Sequence, residues 1–223
     1  MYENEKKSVL NAALEIKRNH LIALCGGNVS MRLPDGTFLV TPSGMLYEEM
    51  TPEDIVHIDR SGAALEGKRR PSSDTPALLY IFEKMPWVNG IIHTHQPWAT
   101  AAGLITDLLP ACLVTQIDAN RSDVHVAPFT PSGEQQMGVL TVNYAYDAWA
   151  VILKHHGVMA YGPSLKDALF SAVYLEEAAQ TYMIARSVGE IPPLDPALVK
   201  AEADSWNDYG QPVNNDTHPS TSK

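Results

Sequence analysis

The stretch Ile91-Ile92-His93-Thr94-His95 constrains this chain more than any other. The apolar run from Val88 to Ile92 predicts a buried strand, and it ends on two histidines one residue apart. Successive side chains on a strand point to opposite faces, so His93 and His95 share a face, about 7 Å apart at their Cα atoms. That spacing lets two imidazoles converge on one ion. A fold built around them has to bring further ligands to the same end of the sheet.

A third histidine comes from far along the chain. Ala148 to Leu153 predicts a second buried strand, and it stops at His155-His156-Gly157. Only one of two adjacent side chains faces inward, so either His155 or His156 completes the set. Three imidazoles suit zinc or a similar divalent ion such as Mn2+ or Co2+, and a catalytic site of this kind keeps one position open for substrate. Upstream, Pro71-Ser72-Ser73-Asp74 reads as a helix entrance. Its hydroxyls and carboxylate would cap a helix as readily as they would face an anion or a metal. Asp74 is therefore a candidate fourth ligand, general base, or both in turn.

Helical spacing of Val9, Leu10, Ala13, Leu14 and Ile16 predicts an opening helix over residues 4–20. Strands at 29–33 and 37–41 flank the Pro34-Asp35-Gly36 turn as a hairpin, a short helical turn follows at 51–54, and a third strand spans 55–59. A helix over 74–83, the strand over 88–95 and a helix over 97–105 come next. Strands are predicted near 112–117 and 124–127, with a helix over 133–144 between the latter and the strand ending at Leu153. The longest helix, 165–186, stops before Gly189 and Pro192-Pro193, and a final helix covers 196–206. On the long helix, Glu176 and Glu177 are expected to make supporting hydrogen bonds, and Trp98, Trp149 and Trp206 to pack. Residues 212–223 are polar and read as a disordered tail, leaving 1–211 as one domain.

Charge narrows the partners. With 16 basic against 26 acidic residues the net charge is −10, which argues against nucleic acid and against an anionic membrane surface. No apolar run approaches the length of a bilayer span, and the charged N-terminus lacks the apolar core of a signal peptide. Two cysteines, Cys25 and Cys112, suit a reducing cytoplasm better than a disulfide framework. A phosphate ligand would then be held by hydroxyls and backbone N–H groups. Gly26-Gly27-Asn28, Ser43-Gly44 and Ser72-Ser73 are three small-residue loops that could form such a nest. Lys68-Arg69-Arg70, the one basic run, reads most simply as a solvated loop.

Taken together, Gly27-Asn28-Val29-Ser30, Thr41-Pro42-Ser43-Gly44, Pro71-Ser72-Ser73-Asp74-Thr75-Pro76, His93-Thr94-His95 and His155-His156-Gly157 resemble the class II aldolase/adducin superfamily, in its order and spacing over nearly the whole chain. The resemblance implies an α/β fold, a single domain with a central, mainly antiparallel β-sheet flanked by helices in three layers. It also implies a homotetramer with the active site at the subunit interface, a divalent ion, usually zinc, and a sugar-phosphate substrate. By the same resemblance the metal ligands are His93, His95 and His156, since the family's third ligand directly precedes the glycine. Phosphate contacts fall on Gly27, Asn28, Ser43, Gly44, Ser72 and Ser73, and catalytic roles on Asp74, Asp118 and Tyr209. The chemistry implied is retro-aldol cleavage through a metal-stabilised enediolate.

Within the superfamily, the aspartate after Ser72-Ser73, Asp118 seven residues after Ala111, and Tyr209-Gly210-Gln211 resemble the L-ribulose-5-phosphate 4-epimerases. Thr41, where those carry lysine, resembles the L-fuculose-1-phosphate aldolases. So do Gln116-Ile117 before Asp118 and the short segment from Asp118 to His156. An epimerase is the leading expectation and an aldolase the alternative, with a related decarboxylase or dehydratase and a non-catalytic adducin-like module behind them.

Overall fold

The computed structural model describes residues 1–206. Helix α1 (Glu3–Arg18) leads into strands β1 (Asn28–Arg32), β2 (Phe38–Val40), β3 (Val56–Ile58) and β4 (Ala64–Glu66). There follow α2 (Thr75–Lys84), β5 (Gly90–Thr94), α3 (Pro97–Ile105), β6 (Leu108–Leu109), α4 (Val114–Asn120) and β7 (Val124–Ala127). The chain continues through α5 (Gln135–Ala145), β8 (Ala150–Leu153), β9 (Gly157–Gly162), α6 (Leu165–Arg186) and α7 (Pro196–Ser205). One nine-stranded sheet runs β4-β3-β2-β1-β5-β9-β8-β7-β6, antiparallel throughout except between β7 and β8.

The sheet divides the core into two layers because its strands alternate. On β5, Ile92 packs into the layer beneath α1, α3 and α6, while Ile91 packs into the layer shared with α2 and α5. On β9, Val158 and Ala160 join the first layer, and Met159 and Tyr161 the second. Each fully buried aliphatic side chain contributes roughly 1.5–3 kcal/mol. Helix α6 presents small residues, Ala168, Ala172 and Ala179, to the sheet. At Gly90 any side chain would collide with the backbone of Leu165, so α6 can lie directly against the start of β5. The fold is thus the expected three-layer α/β arrangement around a mainly antiparallel sheet. None of the described helices is long and apolar enough to cross a membrane.

The short strands β4 and β6 are absent from the sequence reading, and two larger features also depart from it. The segment predicted as a strand near 112–117 is the helix α4. Its Val, Thr and Ile residues favour strands, but tertiary contacts override that preference. Gln116 ties the preceding turn together, donating from Nε2 to the Pro110 carbonyl and accepting from the Cys112 N–H, and Ile117 packs with Ala111 and Ala203. Strand β9 is the second departure. It is buried on both faces along all six residues, so it carries no polar alternation that would announce it.

Candidate metal centre

Strand β5 is central, with Asn28 of β1 opposite His93 on one side and Met159 of β9 opposite it on the other. Directly opposed residues on neighbouring strands point to the same face, so Asn28 and His93 both turn toward the layer that holds α2. His93 is wholly buried, and its Nδ1 lies 2.9 Å from the Val158 carbonyl. That carbonyl takes the Nδ1–H and leaves Nε2 as the free, lone-pair-bearing nitrogen. His95 Nε2 sits 3.2 Å from His93 Nε2.

His156 closes the triangle from the turn between β8 and β9. The ring centroids lie 5.0, 4.8 and 5.1 Å apart for the pairs His93–His95, His93–His156 and His95–His156. One nitrogen from each ring falls within 4.8 Å of the others. The choice between His155 and His156 is made by backbone geometry. His155 takes a left-handed conformation, φ 60°, which sends its exposed ring out toward Phe129 and turns its neighbour inward.

These rings are suited to a metal by charge state as well as by position. Burial holds His93 down to about 4, with Asp74 pulling the other way. Burial also lowers His95 and His156, again opposed by Asp74. Neutral imidazoles are the ligating form. Two ring nitrogens facing each other at 3.2 Å, with a third beside them, make a donor set that a divalent ion fits.

Asp74 stands at the N-cap of α2, yet its side chain makes no capping hydrogen bond. It is committed to the site instead. Asn28 Nδ2 donates to its Oδ2 at 2.9 Å, the Gly133 N–H donates to its Oδ1 at 3.0 Å, and Oδ2 lies 3.9 Å from His93 Nε2. The Ser72 hydroxyl accepts from the Asp74 N–H at 3.3 Å.

The small-residue loops converge on the same place. Gly27 has φ +76°, and a Cβ there would overlap the His93 carbonyl oxygen, so the loop can approach β5 only as glycine. A Cβ on Gly26 would sit 3.0 Å from His95 Nδ1. The other two loops are laced together, with the Ser43 N–H donating to the Arg70 carbonyl and the Ser72 N–H to the Thr41 carbonyl. Ser43 and Gly44 share a cleft of about 580 Å³ with Lys68, Arg69 and Arg70. Arg69 is engaged by Asp54 at 2.8 Å.

The remaining candidates sit apart. Asp118 is buried on α4, where its carboxyl is raised by burial and then by Glu202, with Arg121 opposing. No histidine is among the groups acting on it. Its Oδ1 is buried with no hydrogen-bond partner among the described residues. Tyr209 and the proposed tail lie outside the described residues.

Some of the supporting groups carry little local signal. The Val158 carbonyl and the Gly133 N–H act through backbone atoms, which no residue type announces. Glu176 is legible as a polar residue on an otherwise packing helix. Its two carboxylate oxygens accept from the N–H groups of Trp98 and Ala99, at 2.9 and 3.0 Å, at the start of α3. Gln96 donates to the Ala172 carbonyl and accepts from the Thr94 hydroxyl, so the segment that carries His95 is fastened to α6.

The family model described as Class II Aldolase and Adducin N-terminal domain matches residues 7–183. A 5-deoxy-D-ribulose 1-phosphate aldolase from Bacillus thuringiensis serovar kurstaki is 29% identical over 212 residues, covering 95% of this chain and 99% of that protein. Among solved structures, an L-fuculose 1-phosphate aldolase superposes with a TM-score of 0.85 at 27% identity, covering 91% of this chain and 95% of the other. The L-fuculose-1-phosphate aldolase from Thermus thermophilus shares the fold, with a TM-score of 0.73 at 22% identity over 83% of this chain and 97% of its own.

Proposed function

Because the chain belongs to the class II aldolase and adducin family, we propose that it is a metal-dependent aldolase that cleaves a ketose 1-phosphate into dihydroxyacetone phosphate and an aldehyde. The observation that carries this reading is the triad His93, His95 and His156, with Asp74 clamped beside it by Asn28 and Gly133. The two aldolases similar over nearly the full chain support the same reaction class.

In this reading the substrate's phosphate lies against the Ser43, Ser72 and Ser73 hydroxyls, the Gly27 and Gly44 backbone and the Asn28 amide. Neutral donors of this kind bind a phosphate without a lysine, which agrees with Thr41 being buried and spent on the Val29 N–H. A Zn2+ ion held by the three histidines would supply Lewis-acid polarisation of the substrate carbonyl, stabilising the charge left when the carbon–carbon bond breaks. The hydroxyl proton released as the aldehyde forms is balanced by the proton that Asp74, recharged from solvent, delivers through Oδ2 to the carbon that loses its bond, and both transfers reverse in the synthetic direction. Asn28 and the Gly133 N–H hold that carboxylate in line. The enzyme works in a reducing cytoplasm, where Cys25 and Cys112 remain thiols.

One observation favours the 4-epimerase as a second reading. Asp118 keeps a buried carboxylate oxygen without a hydrogen-bond partner among the described residues, which is costly for a residue with no task. In an assembly of four copies, with sites at the boundaries, Asp118 and Tyr209 would serve the site of a neighbouring copy. Incubating the metal-loaded protein separately with L-fuculose 1-phosphate, 5-deoxy-D-ribulose 1-phosphate and L-ribulose 5-phosphate, followed by NMR, separates the two. Dihydroxyacetone phosphate from either 1-phosphate supports the aldolase. Conversion of L-ribulose 5-phosphate to D-xylulose 5-phosphate, with neither 1-phosphate cleaved, replaces it with the epimerase.

A further inference from the structure

At the far end of β1 from Asn28, about 13 Å along the strand by its rise per residue, lies a cavity of about 780 Å³ between α2 and the strand turns. Two arginines, Arg32 and Arg60, line it. Arg32 is partly buried, its guanidinium 5.1 Å over the Phe82 ring and 5.7 Å over that of Phe38. It is held in that plane by Nε donating to the Val88 carbonyl at 3.1 Å and Nη2 to the Phe82 carbonyl. Arg60 is anchored by Nε donating to the Gly36 carbonyl at 3.3 Å.

Neither guanidinium has a carboxylate within ion-pairing distance among the described residues. Glu83, also on the lining, is paired with Lys84 at 2.8 Å. Arg32 is lowered first by burial and then by the charge of Arg60, so the two cations act on each other without a neutralising group between them. In a chain of net charge −10 carboxylates are abundant, yet the one on this wall, Glu83, is paired with Lys84 and not with either guanidinium. The rest of the lining is largely apolar or flat, with Pro76, Leu79, Tyr80 and Pro86.

We propose that this cavity binds a small phosphate monoester with a flat, apolar body, its phosphate held between Arg32 and Arg60 and its body against Leu79 and Tyr80. The carbonyl contacts leave Nη N–H donors on both guanidiniums to face the cavity's phosphate, and two cations match a dianion. The site is separate from the metal centre, and the proposal does not depend on which sugar phosphate is turned over there.

Phenyl phosphate is the probe, titrated into the full-length protein while the arginine Nε–H signals are followed by NMR. Saturable shifts at Arg32 and Arg60 are expected, with affinity falling about tenfold in Arg60→Gln, which removes one charge-assisted contact from an exposed side chain. Benzoate, a monoanion, is expected to bind at least several-fold more weakly. Circular dichroism establishes that Arg60→Gln is folded, and Arg32→Lys, which keeps the charge but loses the fork, gives a second measure of the same contact. Shifts confined to Arg69 and Arg70, beside the Ser43 loop, overturn the proposal, as does equal affinity in wild type, Arg60→Gln and Arg32→Lys. Benzoate binding as tightly as phenyl phosphate overturns the dianion assignment.

Discussion

Asn28 and Asp74, 46 residues apart in the chain, meet side chain to side chain at 2.9 Å in a buried contact. Asn28 begins β1 and Asp74 stands at the N-cap position of α2, so this bond ties the sheet to the helix at the edge of the histidine triad. It also aims Oδ2, since the Gly133 N–H occupies Oδ1. Removing a partner from a buried hydrogen bond to a charged group costs about 1–3 kcal/mol. Asn28→Ala is therefore expected to lower kcat by about ten- to a hundredfold while the protein still takes up one metal per chain. Steady-state kinetics at saturating substrate, with metal content measured by mass spectrometry, checks this. A rise in KM alone would confine Asn28 to the phosphate.

Stability of the metal-free protein should depend on acid in a defined window. Burial holds His93 near 4 in the folded state, below the ordinary histidine value of 6.5. Between those values the unfolded chain binds a proton that the folded chain does not, so stability rises with pH there. It is fully present above about 6.5 and is lost as pH falls toward about 4. His95 and His156, lowered in the same direction, add to the slope. Urea midpoints of the metal-free protein from pH 7.5 to 4.5 test this. A His93→Gln variant should show a shallower dependence, and an identical slope would assign the acid sensitivity elsewhere.

How much of this was readable beforehand depends on the kind of signal. His93 and His95 are legible because a strand's two-residue period turns a spacing into a shared face. The strand period alone leaves His155 and His156 open; the resemblance picks His156 by the glycine after it, and in the structure the choice rests on a left-handed backbone at His155. Asp74 reads as a helix cap from its position, and only the contacts with Asn28 and Gly133 show that the carboxylate is not spent on the helix. Strand β9 and helix α4 escaped for opposite reasons. The first is buried on both sides and shows no alternation, and in the second Val114, Thr115 and Ile117 favour a strand while Gln116 and α7 hold the segment in a helix.

Glu176 should matter through α3 rather than through substrate. Its carboxylate satisfies two N–H groups at the helix start, from Trp98 and Ala99, that have no partner within the helix. Glu176→Ala is expected to cost about 1–2 kcal/mol of stability, the usual loss when a cap is removed. Glu176→Gln, which keeps one acceptor oxygen, should recover part of that. Both are read from the shift in urea midpoint at constant slope. Equal stability of Glu176→Ala and wild type would show that the α3 N–H groups find water instead.

Gly157 and Gly44 give opposite expectations for the same substitution. A Cβ on Gly157 would overlap the Thr94 carbonyl oxygen and come within 3.1 Å of His95 Cδ2, and the backbone it meets belongs to the paired strands β5 and β9. Neither strand can retreat without moving His93 or His95. Gly157→Ala is expected to weaken metal binding at least tenfold and to destabilise the fold by roughly 3 kcal/mol or more, as overpacking against backbone does. At Gly44 a Cβ meets nothing within 4 Å, and the cost comes only from its φ of +69°. Gly44→Ala is therefore expected to lose about 1–2 kcal/mol with metal affinity unchanged and the effect on turnover confined to KM for a phosphorylated substrate. Competition with a chromogenic chelator measures the metal affinities. Parallel behaviour of the two variants would mean that the β5–β9 contact at Gly157 does not position His95.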